Sequence, residues 1–316
     1  MYSIVHPYLS AVRKPNRAPI VAPIRSRECN AAPGPVLGMA ASCLLRGTSS
    51  LRGEGLGNDQ ELDNCDTILR CIAEDLRERL PPSALLPGEQ LERAPVAHVD
   101  AFVYDEQALE EAWASGTLSR AYCMDCGSHR TKPLEFISHS FSALEVKFLF
   151  RYALPDLSTC TVLDVGSRLG PVLYGAYLYS SARRIVGVEL SGEMCALQQA
   201  MLEKYHMGDR VEVVCADICT QGDLLGTADV VVMNNVFEYF MDPESQARCW
   251  HFVREHVRQP GCLLLTVPSL EESLGRLQVG VNVSEWVCEV PLDYSVYLGE
   301  GMDHEALESI HLYRVL

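Results

Sequence analysis

The stretch "VLDVGSRLG", residues 162–170, decides how this chain is read. A short apolar run suited to a buried strand leads into Gly166, then Gly170, then Pro171. Proline is favoured at the first position of a helix, so the stretch predicts a strand, a tight turn and a helix start. Glycine lets a backbone come close to a ligand. A helix start offers unpaired N–H groups and the positive end of a dipole. Arg168 stands where such loops usually carry another glycine. Taken alone, the stretch is explained equally well as a plain strand-to-helix turn, so its neighbours must decide.

The same alternation continues downstream. "RIVGVE" (184–189), "RVEVVCAD" (210–217), "ADVVVMNN" (228–235) and "CLLLTVP" (262–268) are short apolar runs between helical or connecting segments. Ser191 can cap the helix "GEMCALQQAMLEKYH", and Asp242 before Pro243 starts "PESQARCWHFVREHVR". Alternating strands and helices predict an α/β fold, a Rossmann-like doubly wound sheet. In such sheets the ligand lies beyond the carboxyl ends of the strands.

Upstream, Ser142 and Glu145 have capping-box spacing, and Phe141 with Val146 can form the hydrophobic staple. That helix is expected to run to about Leu154 and stop at Pro155. Residues 61–80 place Leu62, Ile68, Leu69, Ile72, Leu76 and Leu80 near helical spacing, ended by Pro81-Pro82. A linker to about residue 98 and a second helix over 105–116 complete an N-terminal helical extension. The chain thus divides into a disordered segment at 1–58, the extension at 59–137 and the sheet domain at 138–316.

Residues 1–58 hold seven Lys/Arg against two acids, Glu28 and Glu54, a net of +5. With −16 for the whole chain, the rest carries about −21. An acidic body argues against a broad nucleic-acid surface and suits basic substrates or plain solubility. The acid-poor start also suits an organelle transit peptide, while Met39 offers an alternative start. No apolar run reaches the roughly 18–20 residues of a membrane span. Thirteen scattered cysteines read as a reduced intracellular protein, cytoplasmic or, with a transit peptide, mitochondrial. Oligomeric state is not encoded in any feature of the sequence.

Four strand ends carry chemistry. Asp164, Gly166, Ser167, Arg168 and Gly170 form the loop of the first. Glu189 ends the second, about 20 residues on, where a carboxylate can accept from two ribose hydroxyls. Asp217 ends the third and can accept from an adenine amino group, with Ile218 packing on the ring. Asn234 and Asn235 end the fourth, where amides can orient a ligand. Each has a bland reading by itself; four in order do not.

With these residues in view, the chain from about 138 to 316 resembles the class I S-adenosylmethionine-dependent methyltransferases, through "VLDVGSRLG", "GVEL", "CADI" and "MNNVFEYF". The resemblance implies a seven-stranded sheet with a reversed last hairpin, for which "SIHLYRVL" suits the last strand. It places Gly166 and Gly170 by the cofactor's methionine part, Glu189 by its ribose, and Asp217 and Ile218 by its adenine. A dinucleotide dehydrogenase is disfavoured because Gly166-x-Arg168-x-Gly170 lacks the dinucleotide spacing. "DVGSRLGPV", "GVEL" and "MNN" are also similar to the non-SET histone-lysine methyltransferases. That likeness adds Ser140, within "SHSFS" (138–142), to the cofactor residues and puts Asn234 on the path of the target amine. The chain departs from that family at Glu238, where an apolar residue is usual, and lacks its basic tail.

The implied reaction is methyl transfer to a nitrogen or oxygen of a small molecule or protein side chain, lysine included. The alternative is an inactive methyltransferase fold that scaffolds a partner. Asn234, Glu238 and His139 are the catalytic candidates, with Tyr239 as a further orienting group. Cys123-x-x-Cys126, with His129 and His139 as further donors, has a metal-knuckle spacing, but a second Cys-x-x-Cys is missing. A plain reduced turn is the favoured reading, so no metal ligand is assigned.

Overall fold

The computed structural model describes residues 56–81, 83–84, 96–124, 130–238, 240–277, 279–297 and 304–316. Most of the segment at 1–58, Cys126, His129 and Tyr239 therefore lie outside the described residues.

The sheet domain is built from strands β5 (Thr161–Val165), β6 (Arg184–Glu189), β7 (Val211–Cys215), β8 (Val230–Asn234), β9 (Leu263–Val267), β10 (Val287–Val290) and β11 (His311–Val315). Their spatial order is β10-β11-β9-β8-β5-β6-β7. The five strands β5 to β9 are parallel, whereas β11 runs antiparallel between β9 and β10. This is the seven-stranded sheet with a reversed last hairpin that the sequence led us to expect. The central strands β5 and β9 are buried at all five positions, as strands covered on both faces must be.

Helices α4 (Pro171–Tyr179), α5 (Gly192–Lys204), α6 (Gly222–Thr227) and α7 (Pro243–His256) connect the parallel strands. Ser191 and Asp242 cap α5 and α7 through their side chains, and Pro243 sits in the first turn, as the sequence predicts. Ser142 and Glu145 make both halves of a capping box on α3 (Ala143–Phe148). The chain then continues as a π-helical turn over Leu149–Ala153 before Pro155.

The extension holds more than helices. Its helices are α1 (Leu56–Arg77) and α2 (Glu106–Ala114). Between and after them lie short strands that periodicity did not reveal. Strand β1 (Val96–His98) pairs in parallel with β4 (Glu135–Ile137), and β2 (Ala121–Cys123) pairs antiparallel with β3 (Thr131–Pro133). Three residues are too few to show an alternating pattern. The extension shares one hydrophobic core with the sheet: Leu69, Ile72 and Leu76 of α1 belong to the same cluster as Val172 of α4 and Val162 of β5. Across that interface Lys147 and Tyr179 both hold the Asp66 carboxylate, at 2.6 and 2.7 Å. Among the described residues no helix is long and apolar enough to cross a membrane.

Candidate functional site

The loop after β5 is left-handed at three points: Gly166 (φ +71°), Arg168 (φ +48°) and Gly170 (φ +84°). Glycine adopts this conformation without cost; arginine there costs about 1–2 kcal/mol. Gly166 has a second constraint. A Cβ on it would lie 2.5 Å from Val236 Cγ2, in the loop after β8. Two loops at the carboxyl ends of neighbouring strands thus meet with no room for a side chain between them.

Neighbouring groups hold the loop in this shape. The N–H groups of Gly166 and Ser167 donate to the Val188 carbonyl at 2.8 and 3.1 Å. Glu189 accepts from the Arg168 N–H at 2.9 Å on one oxygen and from the Ser191 N–H at 2.8 Å on the other. Each carboxylate oxygen keeps a lone pair for a further donor. Gln198 is fully buried on α5. It accepts from Ser167 Oγ at 2.9 Å and donates to the Arg168 carbonyl at 2.7 Å. Sequence reading missed Gln198, because a glutamine within a helical run gives no sign that it faces inward.

Asp164 lies at the heart of the site. It is 4% exposed, and its carboxyl makes no hydrogen bond to another described residue. Burial, and then the nearby negative charge of Glu189, push its pKa up to about 8. Asp217 caps the short helical turn after β7, accepting from the Cys219 N–H at 2.9 Å. Ile218 beside it is buried.

The mouth after β8 begins with Asn234 and the left-handed, buried Asn235 (φ +47°). Asn235 Nδ2 donates to Asn234 Oδ1 at 3.0 Å. Glu238 accepts from Ser273 Oγ at 3.0 Å and from the Phe237 N–H at 3.2 Å, which turns its carboxylate back toward its own loop.

On the opposite wall His139 is buried, with Nε2 2.9 Å from His98 Nδ1. The two rings are nearly coplanar, 16° apart, with centres 5.0 Å apart. That separation is close to the N···N distance plus the two ring radii. The nitrogens therefore point along one line, as in an N–H···N bond. Burial, then the charge of Arg168, then His98 bring His139 down to about 3, so it is neutral at physiological pH. Ser140 Oγ donates to Asp100 Oδ2 at 2.6 Å.

The geometry places Asp164, Gly166, Ser167, Arg168 and Gly170 against Glu189, with Asn234 on the adjoining strand end. Residues 162–261 match the model of a methyltransferase domain family. Over these residues the chain is similar to a methyltransferase domain. No curated protein matches it in sequence. Among solved structures it is similar to the O-methyltransferase from Bacillus cereus in complex with SAH, at 16% identity over 56% of this chain and 83% of that one, with a TM-score of 0.40. It is also similar to an RNA methyltransferase from Salinibacter ruber in complex with S-adenosyl-L-homocysteine, at 17% identity over 54% of this chain and 87% of that one, with a TM-score of 0.34.

The acids at these strand ends fit a cationic ligand. Asp164 is a buried acid whose nearest charged influence is another acid, an arrangement that a ligand cation would relieve. A cavity of about 450 Å³, lined by Leu62, Leu157, Tyr179 and Ser181, lies at the other end of the sheet, where β5 and β6 begin. It is remote from these strand tips and takes no part in the site. No group of three or more metal-ligating His, Cys, Asp or Glu side chains occurs among the described residues.

Proposed function

We propose that the chain is an S-adenosylmethionine-dependent methyltransferase with 138–316 as the catalytic domain and 59–137 as cover. Its acceptor would be a nitrogen or oxygen of a small molecule or of a protein side chain. The observation that carries this reading is the buried Asp164 carboxyl, with no cation to balance it among the described residues, beside a left-handed glycine loop.

In this reading Asp164 balances the ammonium of the methionine part, which Gly166, Ser167 and Gly170 let close to the backbone. Glu189 has lone pairs left for the ribose hydroxyls. Asp217 and Ile218 flank the adenine. Bound S-adenosylmethionine supplies a methyl group already activated on a sulfonium. The protein's contribution is then chiefly positioning. Asn235 engages the Asn234 carbonyl oxygen, which leaves the Asn234 amide N–H groups for the acceptor. Glu238, on the same loop, keeps lone pairs that can accept from the N–H groups of a neutral amine acceptor. His139 is a weak base at about 3, so its role is to orient, and acceptors that arrive already deprotonated are favoured.

Labelled-methyl transfer into a cell lysate, separated into protein, RNA and small-molecule fractions, tests this reading. Label in the protein or small-molecule fraction is expected. Label in none, with cofactor binding intact, would contradict the enzymatic assignment.

A further inference from the structure

One side chain of the glycine loop reaches two other stretches of chain directly and a third through an aromatic ring. Arg168 is 8% exposed. Its Nη2 donates to the Ala84 carbonyl at 2.9 Å, beyond α1. Its Cζ lies 5.8 Å from the ring centre of Phe240, beyond β8. The Phe240 ring in turn lies 5.4 Å, centre to centre, from that of His139, whose Nε2 is 2.9 Å from His98 Nδ1.

These stretches are themselves fixed. Asp100 is 2% exposed and accepts from the Phe102 and Val103 N–H groups, at 3.0 and 3.1 Å, as well as from Ser140. Ala84 is buried in a left-handed conformation (φ +49°), with its N–H on the Pro81 carbonyl at 2.8 Å. The backbone of Arg168 is held as firmly from the other side, by Glu189 and Gln198. A guanidinium suits such a junction, since its planar fork can donate to a carbonyl while its face lies over an aromatic ring.

We propose that Arg168 is a positioning residue, a strut that holds Ala84 and residues 98–104 of the extension against the cofactor loop as the acceptor-side wall. Through its N–H bond to Glu189, occupancy of the ribose site is transmitted to that wall. The second part rests on the cofactor reading given above; the first does not.

Amide hydrogen exchange on the full chain, with and without S-adenosylhomocysteine, tests both. Arg168→Gly removes the side chain while suiting the left-handed backbone. Without ligand, residues 96–104 should exchange roughly tenfold or more faster in the variant, with β8 and β9 unchanged. With ligand, the segment should slow in the wild type but not in the variant, although both bind. Equal exchange of 96–104 in both ligand-free proteins would overturn the strut. Equal slowing by ligand in both would overturn the transmission. If S-adenosylhomocysteine binds neither protein, the cofactor reading fails with the transmission, and the ligand-free comparison still decides the strut. Should Arg168→Gly not fold, Arg168→Lys keeps the charge without the fork, and an intermediate exchange rate is expected; a wild-type rate would count against the strut.

Discussion

Two buried aspartates, one on each side of the glycine loop, have opposite surroundings. Asp100, in the extension, is 2% exposed; burial raises its pKa, while Ser140, Arg168 and two backbone N–H groups oppose the rise. Asp164, in the sheet, is about as buried, but among the described residues the charge that acts on it is the negative one of Glu189. An acid with internal donors and a cation belongs to the architecture. An acid left without them adds nothing to stability and suits a ligand. The contrast separates the wall of the site from its receiving end, and each of the following measurements could break or sharpen it.

The largest effect is expected on the Asp100 side. Asp100→Ala leaves the Phe102 and Val103 N–H groups and the Ser140 hydroxyl without their buried acceptor, and should cost roughly 1–3 kcal/mol in chemical denaturation. A loss below about 1 kcal/mol would mean that Asp100 is not the partner it resembles.

Asp164 should behave in the opposite way. Its folded pKa of about 8 lies above the roughly 3.9 of an unfolded aspartate, so the folded state keeps a proton that the unfolded state has lost. Its contribution to stability therefore falls as pH rises from about 4 to 8. Asp164→Asn should make the ligand-free protein more stable at pH 8 than the wild type. A cationic ligand expels that proton, so wild-type affinity should tighten, up to roughly tenfold per pH unit, between about pH 6 and 8. The asparagine variant should bind weakly, with a flat profile in calorimetry.

Glu189→Ala removes both the ribose acceptor and the brace of the Arg168 N–H, and should weaken cofactor binding by more than about tenfold, roughly 1.4 kcal/mol. Arg168→Gly should stay within about tenfold, because the residue serves the wall. The reverse order in titration calorimetry would show that the cofactor has been misplaced. The smallest effect lies away from the site: Ser142→Ala loses one half of a capping box and should cost about 1 kcal/mol in thermal unfolding.

The sheet was legible because its signals are local. Buried strands, Ser191, Asp242-Pro243 and the Ser142–Glu145 box each declare themselves within a few residues. Arg168 shows where that legibility stops. Its left-handed backbone could be anticipated from the glycine pattern. Its side chain could not, since the guanidinium donates to Ala84, 84 residues away. Asp100, His98 and Gln198 went unnoticed for the same reason. Their partners are remote in sequence, and three-residue strands such as β1 leave no period to read. Ser140, which the histone-lysine resemblance adds to the cofactor residues, has its hydroxyl on Asp100.

Titration calorimetry of the full chain with S-adenosylmethionine and S-adenosylhomocysteine, across the pH range around 8, tests the central claim most directly. Saturable binding to one site is expected, tightening as pH rises toward 8 and weakened by Glu189→Ala. No heat with either ligand at millimolar concentration, at any pH where the protein is folded, would contradict it.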